Sequence, residues 1–319
     1  MPDERARTTR TTRTREPDEH DNAYAGLLTD DPRWAFGTGF EDPLAGVDTT
    51  VPDGVDPADL ATYCLMLGDD ALVLSQRLAE WTSNAPDLEE DIAFANIALD
   101  LLGQARLLLA RAAAADPTQV PALPAGSPVP DEDRLAFFRD GTALRNVRLA
   151  ELPNGDFAQT VARVLLFATW RLALFEELAR SRDAVLAAVA AKGVKELTYH
   201  RDFAGRWFLV LARGTEESRR RLVAGLEALW PYRAELFATH DVERAVAGAG
   251  VGVDPADVAD TVDAVLDRVL ETSGVERPDV PPRAGVLGRA GRDGRHTEAL
   301  SLLLAEMQSV ARAHPLGQW

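Results

Sequence analysis

The chain is short of the residue types that most directly signal chemistry. Among its 319 residues it has a single cysteine, Cys64, which excludes an intrachain disulfide and a thiolate metal cluster. It has five histidines and only two lysines, Lys192 and Lys195, against 32 arginines. No apolar run approaches the roughly 20 residues that span a bilayer, and no signal peptide is read at its start, so a soluble, cytoplasmic protein is expected. Bases are in deficit, 34 against 51 acids, giving a formal charge of −17. That sign repels phosphate backbones and anionic lipid, so neither nucleic acid nor membrane is an expected partner. Gly-x-Ser-x-Gly is missing, and with it a nucleophile elbow.

What remains is apolar and periodic. Hydrophobic residues make up 46% of the chain and charged residues 27%, a globular balance. Residues 1–55 stand apart: an Arg/Thr-rich start (MPDERARTTRTTRTRE) without an apolar face, then Pro, Gly and Asp. They are read as a disordered or irregular extension, with the folded domain at 56–319.

From Asp56 the pattern is helical. Leu60, Cys64, Leu67, Ala71, Leu74, Leu78 and Trp81 recur by fours and threes, and Asp56-Pro57 supplies an N-cap and an N1 proline. A second helix is expected over about 87–115 with Ile92, Ala95, Leu99 and Leu102 as its main stripe. A third is expected over 155–180 and a fourth over 183–213. Tight links join helices one to two and three to four, and the long segment 116–153 joins the two pairs. That is the connectivity of a ferritin-like four-helix bundle with one long crossover. Additional C-terminal helices follow near 215–239, 255–272 and 297–313, and the fold class is all-α.

Such bundles can hold two metal ions through one Glu from each of two helices and Glu-x-x-His from each of the other two. Glu-x-x-His occurs nowhere in this chain, and Asp293-x-x-His296 falls in a glycine-rich loop, 285–294, read as a linker. Fragments of a site persist. Helix two offers Asn96 and Asp100, with Gly103 where a second ligand would stand. Helix four offers Lys192, Lys195, Glu196 and His200, and helix one offers Asp69 and Asp70. Helix three has no acid between Phe157 and Phe175.

Two readings of the lysines stand side by side. Lys192, with Lys195, supplies the positive charge that metals would otherwise place among Asp100, Glu196 and an acid of helix one. Alternatively, the two lysines lie on an exposed face with an incidental i,i+4 Lys–Glu pair worth a few tenths of a kcal/mol. Arg219, Arg220 and Arg221 form the best candidate patch for an anionic partner.

The strings DDALVLSQRLAEW (69–81), LEEDIAFANIALDLLGQARLLL (88–109), ELPNGDFAQTVAR (151–163), KGVKELTYH (192–200), GTEESRRR (214–221), LWPY (229–232), HTEAL (296–300) and LAEMQ (304–308) resemble one family. It is the family of C subunits of the ring 1,2-phenylacetyl-CoA epoxidases, the multicomponent phenylacetate-CoA oxygenases. The resemblance spans about 56–319. It implies a ferritin-like chain that has lost its metal site and holds no cofactor of its own. It implies packing against the di-iron catalytic partner, the A component, in a complex completed by a small B component and an NADPH-dependent reductase. Asp70, Asn96, Asp100, Lys192, Lys195, Glu196 and His200 are then expected to be structural. The rival expectations are an oxygenase using Asp100, Glu196 and His200 as an incomplete site, and a regulatory module in which Arg219–Arg221 meets the phosphates of a CoA thioester.

Overall fold

Asp56 accepts a hydrogen bond from the Ala58 amide at 2.8 Å, and Pro57 opens the first helix as its missing N–H allows. In the computed structural model, which describes Leu44 and residues 46–317, ten α-helices follow. They are α1 (Pro57–Ala79), α2 (Leu88–Ala115), α3 (Asp131–Phe137), α4 (Arg148–Glu151), α5 (Phe157–Leu178), α6 (Ala184–Arg213), α7 (Glu216–Leu229), α8 (Asp241–Gly248), α9 (Ala259–Ser273) and α10 (Glu298–Ala313). No strand occurs among the described residues; a single bridge pairs Val286 with Arg289. The expected extension over 1–55 lies outside the described residues as far as position 43. Residues 46–55 are non-helical and tied down, Thr49 by the buried Arg111 and Asp53 by Arg182.

The four long helices form two hairpins whose members run antiparallel. Trp81 at the end of α1 meets Phe94 near the start of α2, and Phe157 at the start of α5 meets Trp207 near the end of α6. Cross-links then set the hairpins against each other: Trp81 donates to Thr160 at 3.0 Å, and Arg171 reaches the Leu67 carbonyl at 3.1 Å. Between α2 and α6 the Phe94–Phe203 and Gln104–Glu196 contacts fix a second antiparallel register. Asp156 and Asp183 cap α5 and α6 by accepting the Gln159 and Leu186 amides, each at 2.9 Å, which explains why both helices start where they do.

The expected stripe of α1 is buried throughout. That of α2 is a correction. Ile92, Leu99 and Leu102 are exposed, and the buried face is instead Phe94, Ile97, Leu101, Ala105 and Leu108. Helix α2 is apolar on two sides, so periodicity alone selects the wrong one. By length and composition α2 and α5 could each cross a bilayer; α5 is the enclosed core helix, whereas α2 is enclosed on one side only.

The crossover is nailed to α1 by buried acids. Asp69 pairs with Arg139 and accepts the Arg145 amide at 2.8 Å. Asp70 accepts the Val147 amide at 2.7 Å and binds both terminal nitrogens of Arg292 at 2.9 Å. Glu151 holds His296 at 2.7 Å, bringing in the start of α10. The glycine-rich segment 285–294, expected as a linker, is therefore anchored at Arg292. Downstream, the expected helix over 215–239 is broken: α7 ends at Leu229 and a 3-10 turn carries Trp230–Phe237, because Pro231 has no amide to continue an α-helical ladder. Helices α4 and α8 were not expected.

Candidate functional site

Where the four helices face one another, the interior holds a protein cation. Arg171, fully buried on α5, donates from Nε to Gln104 Oε1 of α2 at 3.0 Å and from one terminal nitrogen to the Leu67 carbonyl of α1. Its guanidinium lies over the Phe175 ring, 4.4 Å from the centroid, where the ring quadrupole favours positive charge. Gln104 passes the interaction on, its Nε2 donating to Glu196 Oε2 of α6 at 2.9 Å. Burial lowers the Arg171 pKa to about 10, opposed by the Asp70 carboxylate, so it remains charged at neutral pH. Gly193 makes room for this packing: a Cβ there would lie 2.6 Å from the Phe175 ring.

One turn along, His200 of α6 is buried and its Nε2 sits 2.9 Å from Asp100 Oδ2 of α2. Burial lowers the His200 pKa, with the Asp100 carboxylate pulling the other way. The neutral ring with its proton on Nε2 donates to a carboxylate that can only accept. The pair is a hydrogen-bonded strut between helices.

These positions redistribute the expected site residues. Asp100 and His200 meet on the α2–α6 seam, and Glu196 lies one turn along α6, held by Gln104. Asp70 is buried but committed to Arg292 and the crossover, and acts on Arg171 only through its charge. Asn96 and Lys195 are exposed. The Lys192 side chain is 66% exposed and meets Glu196 at 3.3 Å from outside, in keeping with the plainer of the two lysine readings. The interior charge belongs to Arg171, and with Gln104 it is what sequence reasoning missed. Between Phe157 and Phe175, α5 has no acid and supplies a guanidinium instead.

The donor set does not fit a two-metal centre. Among the described residues no three His, Cys, Asp or Glu side chains converge as ligands, and a guanidinium and a carboxamide stand between the helices that would supply them. Nor is the arginine run a free anion site. Arg219 is spent on the carbonyls of Ala212, Ser273 and Gly274, while Arg220 and Arg221 share Glu217, whose carboxyl their hydrogen bonds pull down to about 2.

A family model described as "Phenylacetic acid catabolic protein" matches residues 47–319. The chain belongs to that family. It is also 42% identical over 260 residues to the C subunit of the 1,2-phenylacetyl-CoA epoxidase of Escherichia coli (strain K12), a match covering 82% of this chain and 99% of the relative. Membership of that family supports a role in phenylacetate catabolism. The resemblance carried by the sequence strings is thereby shown.

Proposed function

We propose that this chain is a non-catalytic, ferritin-like subunit of a cytoplasmic phenylacetyl-CoA ring 1,2-epoxidase. It packs against the di-iron catalytic subunit, the A component, and holds it folded and soluble; the B component and an NADPH-dependent reductase complete the complex. The observation that supports this most is the Arg171–Gln104–Glu196 chain: it occupies the middle of the four-helix core with a fixed positive charge and leaves no convergent set of ligands. A core filled by its own cation, hydrogen-bonded across α1, α2, α5 and α6, suits a scaffold better than a reaction site. The chain contributes by association: apolar surface removed from water on both partners fixes their relative geometry.

The test is to purify the catalytic subunit on its own and together with this chain. Higher solubility and epoxidase activity in the mixture are expected; equal values in both preparations contradict the reading. Metal analysis of the isolated chain is expected to give well under one iron per chain, and stoichiometric iron would favour a catalytic role.

A further inference from the structure

On the outer side of α2, Leu88, Ile92, Ala95, Leu99 and Leu102 follow one another at steps of four, three, four and three, the 3.5-residue repeat of a helix–helix seam. The four large residues are 69%, 52%, 63% and 45% exposed. The seam runs for about 21 Å at ~1.5 Å per residue. Helix α2 is apolar on two sides, and the inner one is already used by Phe94, Ile97, Leu101 and Leu108.

We propose that this face, bordered by α6, is the docking surface for a helix of another epoxidase subunit that has its own apolar seam edged by carboxylates. The proposal rests on the reading of the chain as a packing subunit, and it names the surface used. Three observations select that occupant. First, Gly103 stands four residues after Leu99 on the same side, in mid-helix, and a Cβ there would meet nothing within 4 Å. No part of the described structure requires glycine at that point, whereas a backbone approaching from outside would.

Second, the chain's only two lysines lie together beyond one end of the surface. The Asp100–His200 and Gln104–Glu196 contacts set an antiparallel register that puts Tyr199 beside the Leu102 end of the seam and Lys195 and Lys192 just beyond Gly103. Both lysines are exposed, and Lys195 has no partner among the described residues. A partner with carboxylates there would match them. Third, a second copy of this chain would bring another −17 of charge to the contact, which opposes self-pairing. A stable interface needs about 800 Å² per partner, so the occupant must extend from α2 onto α6, where Tyr199 and Val210 are also exposed.

The test measures binding of the catalytic subunit to the full-length chain, wild type and Ile92→Glu/Leu99→Glu, with Leu302→Glu on exposed α10 as a control. Unchanged circular dichroism of each variant shows that it is folded. The expected result is that the double variant loses at least about 30-fold in affinity, the factor of a hot-spot residue, while Leu302→Glu binds like wild type. Lys195→Glu is expected to slow association and weaken its salt dependence. Equal binding by the double variant overturns the surface while leaving the packing role intact. Failure of the wild type to bind overturns both. A wild-type dimer in sedimentation that the double variant abolishes would make a second copy the occupant. Binding of wild type, but not the variant, to phosphatidylcholine vesicles would make it a lipid surface; either outcome contradicts the proposal.

Discussion

Helices α2 and α5 are the two long helices most nearly apolar along their length, yet the fold treats them differently. Helix α5 is enclosed on every side, down to Arg163 and Arg171, whose charges are accommodated inside. Helix α2 is enclosed along one side and presents Leu88, Ile92, Leu99 and Leu102 to solvent. The same composition thus does two jobs. In α5 it makes a core; in α2 half makes the core and half is left exposed.

That contrast can be broken at several points. The largest effect is expected in α5: Arg171→Ala removes a fully buried side chain, strands Gln104 and leaves a void against Phe175, costing about 3–5 kcal/mol by chemical denaturation. Next, Gly193→Ala forces a methyl against the Phe175 ring and is expected to cost about 1–3 kcal/mol.

The histidines give a signed pH effect. His200 has a folded pKa below its unfolded value, so its contribution is present above pH ~6.5 and is lost as pH falls through the folded value. For His296, burial lowers the pKa but the Glu151 hydrogen bond and charge outweigh it, so the folded value is raised. Its contribution is present below pH ~6.5 and is lost as pH rises through the folded value. Thermal melts from pH 5 to 8 are expected to show His200→Gln flattening the loss on the acid side and His296→Gln flattening the loss on the alkaline side.

Smaller effects belong to α2. Gly103→Ala is expected to stabilise the isolated chain by about 0.5–1 kcal/mol, since the methyl meets nothing and the helix gains propensity. Smallest of all, Leu99→Glu is expected to change stability by less than about 0.5 kcal/mol in the isolated chain. A large loss from Leu99→Glu would mean that the outer side of α2 is core after all.

The long helices, the Asp56 cap of α1 and the long connection between the two hairpins were legible because a capping acid, tight links and apolar spacing are local signals. The orientation of α2 was not: two apolar stripes share one helix, and Ile92, Ala95, Leu99 and Leu102 look as core-like as Phe94, Ile97 and Leu101. On the α2–α6 seam, helical spacing alone puts Glu196 and His200 on one face of α6. Arg171 could not be placed, because an arginine in an apolar helix ordinarily snorkels to water. The scarcity of lysine drew attention to Lys192, which lies at the rim. The available signal was the stretch between Phe157 and Phe175, which has no acid and in which Arg163 and Arg171 stand among apolar neighbours. The acids Asp69 and Asp70 were visible too, but their arginine partners come from residues 70 or more positions away, a pairing no local pattern shows.

The most direct test is amide hydrogen exchange of the chain alone and in the assembled epoxidase. Slower exchange along α2, with α5 unchanged, is the result expected if the outer side of α2 is completed by another subunit. Protection that grows elsewhere while α2 exchanges as before would contradict it.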